Sequence, residues 1–93
     1  MEKVIYKYDI YPDDIIDIEL PIGAEILTVQ TQGGNPKLWA LVDPSEIKEV
    51  RTFRLAGTGH TIECGRGSEY KYIGTFQLYD TFGSLVLHLF EVL

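Results

Sequence analysis

Cysteine is nearly absent from these 93 residues: Cys64 stands alone, so no disulfide can form within the chain, and a reducing, cytoplasmic setting is the expectation. A surplus of positive charge is also missing. The formal net charge is −6, carried entirely by residues 1–50, while residues 51–93 are balanced and hold all three arginines, Arg51, Arg54 and Arg66. Such a chain repels a phosphate backbone, which argues against nucleic acid as a partner. Long apolar runs are lacking too. The apolar stretch of residues 85–90 is far short of the roughly 20 needed to cross a bilayer, so no membrane partner is expected. Glu2 and Lys3, followed by alternating residues, do not make a signal or transit peptide. Neither internal repeats nor sustained helical periodicity occur, and nothing in 93 residues suggests a second core.

What recurs is a period of two. Val4, Tyr6, Tyr8 and Ile10 share one side of an extended segment, with Lys3, Lys7 and Asp9 on the other, as in a half-buried strand. Ile16, Ile18 and Leu20 alternate with Asp17 and Glu19 in a second strand, closed by Pro21 and Gly23. Residues 25–31 and 37–43 read as two strands joined by Gln32, Gly33, Gly34, Asn35 and Pro36, because Gly and Asn tolerate the positive φ of a hairpin turn. The run from Leu38 to Val42 is apolar on both faces, which predicts a central strand covered on both sides, with Trp39 in the core. Asp43 and Pro44 end it and could cap one short turn of helix. Residues 50–55, 70–79 and 84–92 complete the set, the last two as a hairpin. Seven short strands with turn signals between them predict an all-β domain spanning 1–93, a small antiparallel sandwich or barrel with at most one helical turn.

Candidate chemistry gathers around the longest irregular stretch, residues 56–69. Glycines there let backbone N–H groups converge on an anion, and Arg51, Arg54, Thr58, Gly59, His60, Arg66 and Tyr72 are the candidate ligand-binding residues. A β-turn at the end of a strand explains residues 57–60 equally simply, since the pattern lacks a Walker lysine and a strand–turn–helix setting. His60, Cys64 and His88 are residue types that hold zinc, but their spacing contains no Cys-x-x-Cys or His-x-x-x-His pair, so neither metal nor cofactor is expected. Asp13, Asp14, Asp17 and Glu19 lack the order of a calcium loop and read as a solvated strand face. No nucleophile elbow and no paired-carboxylate arrangement can be read, so the chain is expected not to be an enzyme. Residues 85–90 do not alternate as a one-sided strand should, which predicts a homo-oligomer, by default a dimer, with Leu87, His88 and Phe90 near the contact.

The segments Leu38-Trp39-Ala40-Leu41-Val42-Asp43-Pro44, Arg51-Thr52-Phe53-Arg54 and Gly57-Thr58-Gly59-His60 resemble a family of short, uncharacterised bacteriophage and prophage proteins. The similarity extends to residues 21–30, to Tyr72-Ile73-Gly74-Thr75-Phe76 and to His88-Leu89-Phe90-Glu91, whereas Cys64 and Gly65-Arg66-Gly67 depart from the pattern. The resemblance carries no catalytic residues with it. It implies a non-enzymatic accessory module that binds a host protein or a small anionic, nucleotide-like ligand, with the countering of host defence as one such role, or alternatively a structural assembly module.

Overall fold

The computed structural model describes residues 2–63, 69–80 and 83–93, so the sequence candidates Cys64 and Arg66 lie outside the described residues. Seven strands follow one another: β1 (Val4–Asp9), β2 (Ile15–Pro21), β3 (Glu25–Gln32), β4 (Asn35–Val42), β5 (Lys48–Gly57), β6 (Tyr70–Asp80) and β7 (Gly83–Val92). They form two antiparallel sheets, a three-stranded one in the order β1-β4-β3 and a four-stranded one in the order β2-β5-β7-β6. The sheets stack as a sandwich, and the Cα trace is only 15 Å deep along its shortest axis, as expected for two layers about 10 Å apart. No helix occurs among the described residues. At the expected helical turn, the Asp43 carboxylate accepts bonds from the Ser45 backbone N–H at 3.0 Å and hydroxyl at 2.6 Å, and one 3.1 Å bond from the Glu46 N–H to the Asp43 carbonyl closes a β-turn. The capping chemistry is present, but the chain then enters β5 at Lys48 rather than making a second helical bond.

Alternation in each strand builds the core. Ile16, Ile18 and Leu20 of β2, Phe53 and Leu55 of β5, and Leu87 and Leu89 of β7 face Leu38, Ala40 and Val42 of β4, all buried. Each fully buried Leu or Phe contributes roughly 1.5–3 kcal/mol relative to exposure. The β3–β4 loop is shorter than the sequence suggested: only Gly33 (φ +59°) and Gly34 (φ +83°) turn, both in the left-handed region that a two-residue type I′ hairpin requires. Gln32 and Asn35 already pair across it, and Pro36 sits inside β4.

The sheets converge where β3 runs beside β6 without a backbone ladder, so the fold is a sandwich and not a closed barrel. A Cβ placed on Gly74 would come within 2.8 Å of Val29 Cγ1, and Thr31 donates its hydroxyl to the Gln77 carbonyl at 2.8 Å. Each seam strand also slips register against its own sheet, β3 between Ile26 and Thr28 and β6 between Tyr72 and Gly74. The extra residues, Leu27 and Ile73, bend the two edges apart and open a cleft at that end.

Burial bears on two expectations. Leu87 is 7% exposed and points into the core, so much of the apolar inner side of β7 is covered by the opposite sheet of the same chain. On the other side of β7, Phe90 packs edge-on to Tyr70 at 6.2 Å and against Tyr72 at 5.5 Å, and His88 is bonded to neighbouring strands. By contrast, β4 is central but covered on one side only. Trp39 and Leu41 lie on the outer face of the three-stranded sheet, half-buried by strand neighbours, with no described element above them.

Candidate functional site

Strand parity separates the cations that lie close in sequence. Arg51 falls on the same side of β5 as Phe53, facing the sandwich interior, while Arg54 falls on the opposite side. Both are occupied. Arg51 grips Glu91 with two bonds, Nε to Oε2 at 2.6 Å and Nη2 to Oε1 at 2.7 Å, and donates Nη1 to the Ala24 carbonyl. The hydrogen bonds to Glu91 and that carboxylate's charge raise the Arg51 pKa still further, against the opposing effect of burial.

Arg54 is 7% exposed and works as a staple under the loop that follows β5. Its guanidinium donates to the carbonyls of Leu55, of Thr61 at 3.2 Å and of Asp14 at 3.4 Å, and lies 3.7 Å and 3.6 Å from the Asp14 and Glu63 carboxylates. The loop backbone therefore takes the donors that an anion would need.

Residues 57–60 form a β-turn, closed by the His60 N–H on the Gly57 carbonyl at 3.0 Å, with Gly59 at φ +87° in the position that a type II turn reserves for glycine. Gly57 leaves room as well: a Cβ there would meet His60 Nδ1 at 2.9 Å, so a larger residue would have to push the exposed His60 ring aside. The turn sends its two polar side chains apart. Thr58 bonds His88 Nε2 at 2.7 Å, His88 Nδ1 meets Thr75 at 2.9 Å, and Thr75 meets the Tyr72 hydroxyl at 2.6 Å, a chain of four groups across the outer face of the four-stranded sheet. His60 instead lines a shallow hollow of about 260 Å³ with Pro12, Asp13, Asp14, Leu55 and Leu87. The six described ligand candidates thus do not form one site: Thr58 and Tyr72 are joined through His88 and Thr75, Gly59 shapes the turn, Arg54 and His60 lie on either side of Asp14, and Arg51 is held inside the sandwich; Arg66 lies outside the described residues.

Charge in the clefts can be read directly. The cleft opened by the two bulges, about 390 Å³, sets Arg51 and Lys71 against Glu25 and Glu91. Another cleft, about 470 Å³, has Tyr11 and Tyr79 on its walls, Ile10, Pro36, Leu78 and Leu85 as apolar lining, and an ion pair of Lys37 with Asp9. His60 faces two aspartates. None of these clefts has a surplus of positive charge among the described residues, and among those residues no group of three or more His, Cys, Asp or Glu is placed to hold a metal.

One surface departs from this internally satisfied pattern. On the outer face of the three-stranded sheet Ile5 is 60% and Leu27 44% exposed, and with Thr28, Gln30 and Trp39 they border a hollow of about 300 Å³. Sequence reasoning placed Trp39 in the core and did not single out Ile5 or Leu27. The usable signal was in β1, where Ile5 shares a face with Lys3, Lys7 and Asp9 and so had to point away from Tyr6 and Tyr8.

Fold and surface together define a small, all-antiparallel β-sandwich whose Arg51 and Arg54 serve its own architecture and whose three-stranded sheet keeps an apolar face open among the described residues. The chain belongs to the family described as Domain of unknown function (DUF7352), whose model matches residues 1–93. No curated protein and no solved structure matches it.

Proposed function

We propose that the chain is a non-enzymatic accessory module of phage type that binds a host protein through the outer face of its three-stranded sheet. The observation that carries this reading is the contrast between the two outer faces. The four-stranded sheet covers part of its own with the Arg54-stapled loop and the Tyr70–Phe90–Tyr72 cluster, leaving Ile15 and Val50 exposed toward β2, whereas Ile5 and Leu27 stand exposed beside half-buried Trp39 around a hollow. Exposed apolar surface rimmed by polar groups, here Thr28, Gln30 and Lys7, is the usual mark of a protein-binding site. The occupant is a protein surface that inserts an apolar side chain between Ile5, Leu27 and Trp39. The net charge of −6 favours a basic partner, which it would steer and orient. Binding of this kind in the host cytoplasm needs no catalysis and would suit the blunting of a host defence protein. The small-anion alternative is weaker because Arg51 and Arg54 are already paired and each described cleft balances its cations with acids.

The test uses host extract passed over immobilised wild-type protein and over Leu27→Glu, followed by affinity measurement with the purified candidate. A protein that binds the wild type and at least about tenfold more weakly to Leu27→Glu supports the reading, that loss being modest for a central interface residue. Equal binding to both, or a nucleotide that raises the melting temperature when no protein binds, overturns it.

A further inference from the structure

The two strands at the open side of the sandwich, β1 and β2, are both free edges, and their charges differ in kind. Such edges invite pairing with another chain unless something prevents it. Which residues offer unpaired backbone groups follows from the ladders. The Ile10 N–H bonds the Pro36 carbonyl, so by alternation Tyr8, Tyr6 and Val4 bond toward β4, and Lys3, Ile5, Lys7 and Asp9 turn their N–H and C=O groups outward. The Leu55 N–H bonds the Asp14 carbonyl, so in β2 the outward groups belong to Ile15, Asp17, Glu19 and Pro21.

We infer that a second copy of this chain docks antiparallel on β1, with Tyr6 opposite Tyr6 at the two-fold axis. An antiparallel pair needs outward residues opposite outward residues, which leaves three central registers for β1. Two of them set lysine against lysine, either Lys3 against Lys7 or Lys7 against itself. The third, centred on Tyr6, sets Lys3 against the partner's Asp9 twice and Ile5 against the partner's Lys7 twice, which is the only one with opposite charges face to face. Asp9 uses Oδ1 for Lys37, leaving Oδ2 for the partner's Lys3, whereas the Lys7 ammonium reaches back over its own sheet to Gln32 Oε1 at 2.8 Å and has to swing outward to cover the partner's Ile5. On the opposite face Val4 meets the partner's Tyr8, and Tyr6 its own copy, covering side chains that are 38% and 45% exposed at Val4 and Tyr6. For β2 the same three registers all bring Asp17 or Glu19 against an acid, so that edge repels its own copy. Self-pairing of β1 is isologous and closes at two subunits. It joins two three-stranded sheets into one of six and sets two Trp39 faces side by side.

This goes beyond the partner-binding reading and is tested without any partner. Sedimentation of purified protein between about 1 and about 100 µM should show a concentration-dependent species of twice the 10.6 kDa monomer mass, since such an assembly follows mass action. Lys3→Glu should weaken it at least about tenfold, by turning two attractive pairs repulsive, and Lys3→Arg should preserve it. In a Cys64→Ser background, mild oxidation should crosslink Tyr6→Cys efficiently and Val4→Cys far less, because only position 6 faces itself. A monomer throughout, a dimer indifferent to Lys3→Glu, or equal crosslinking at positions 4 and 6 would overturn the inference.

Discussion

A methyl group added at Gly74 measures how tightly the two sheets meet. Gly74 does not have positive φ, so alanine can adopt its backbone, and the smaller entropy of the unfolded chain would by itself stabilise by about 0.4–1 kcal/mol. The obstacle is Val29 Cγ1, 2.8 Å from where the new Cβ would stand, with the Val29 carbonyl at 3.7 Å behind it. Val29 is 2% exposed and stiff at its branched Cβ, so relief requires a backbone shift at the seam. Overpacking of this kind costs about 1–3 kcal/mol, leaving a net loss of about 0–2.6 kcal/mol for Gly74→Ala. Val29→Ala alone should cost about 1.5–3 kcal/mol through lost burial and the cavity left behind. Combined, the two changes should be less harmful than their sum by about 1 kcal/mol or more, because the added methyl occupies the space vacated by Cγ1. Urea unfolding followed by circular dichroism reads this directly, a loss of 1.5 kcal/mol moving the midpoint by about 1 M at the slope typical of a domain this small. Strict additivity in the double variant, or a stabilised Gly74→Ala, would show that β3 and β6 do not approach as described.

Three further outcomes follow from the ion pairs. Arg51→Met strands the Glu91 carboxylate on the inner face, where its side chain is 9% exposed, and should cost about 2–4 kcal/mol, whereas Arg51→Met with Glu91→Met should recover most of that loss in the same urea assay. Arg54→Met leaves the Thr61 and Leu55 carbonyls without their donor, so hydrogen exchange should quicken in residues 58–63 while the β4 core stays protected. The bond from Lys37 and its charge hold Asp9 below the ordinary aspartate value of 3.8, and bonds from Ser45 do the same for Asp43. A carboxylate depressed in the folded state adds stability above its unfolded pKa and loses it as pH falls through the folded one. The melting-temperature gap between wild type and Asp9→Asn should therefore be widest near neutral pH and close as pH drops well below 3.8.

All seven strands were legible because alternation is a local property, and Gly33-Gly34 marked its hairpin through a backbone requirement that few other residues meet. The candidate site was legible only as a set of residue types. Arg51 and Arg54 are three apart, an odd separation that puts them on opposite faces of any strand, and their nearness in sequence was misleading. Glu91, 40 positions from Arg51, becomes its partner only through the β5–β7 register, which no local pattern encodes. The cover over β7 was hidden for a related reason: a strand apolar on both sides can be covered by its own chain, here by the opposite sheet and by Tyr70 and Tyr72. The same pattern in β4 had the other outcome, since nothing local to Leu38-Trp39-Ala40-Leu41-Val42 reveals that its sheet has only three strands and one packed face.

Trp39 is the only tryptophan in the chain and sits beside the hollow on the open face, so its fluorescence reports that face alone. Titrating the wild type with the purified protein recovered from host extract should shift its emission to the blue in a saturable way, and Leu27→Glu should abolish the shift at the same concentrations. Saturated binding that leaves Trp39 emission unchanged would place the contact elsewhere and contradict the account.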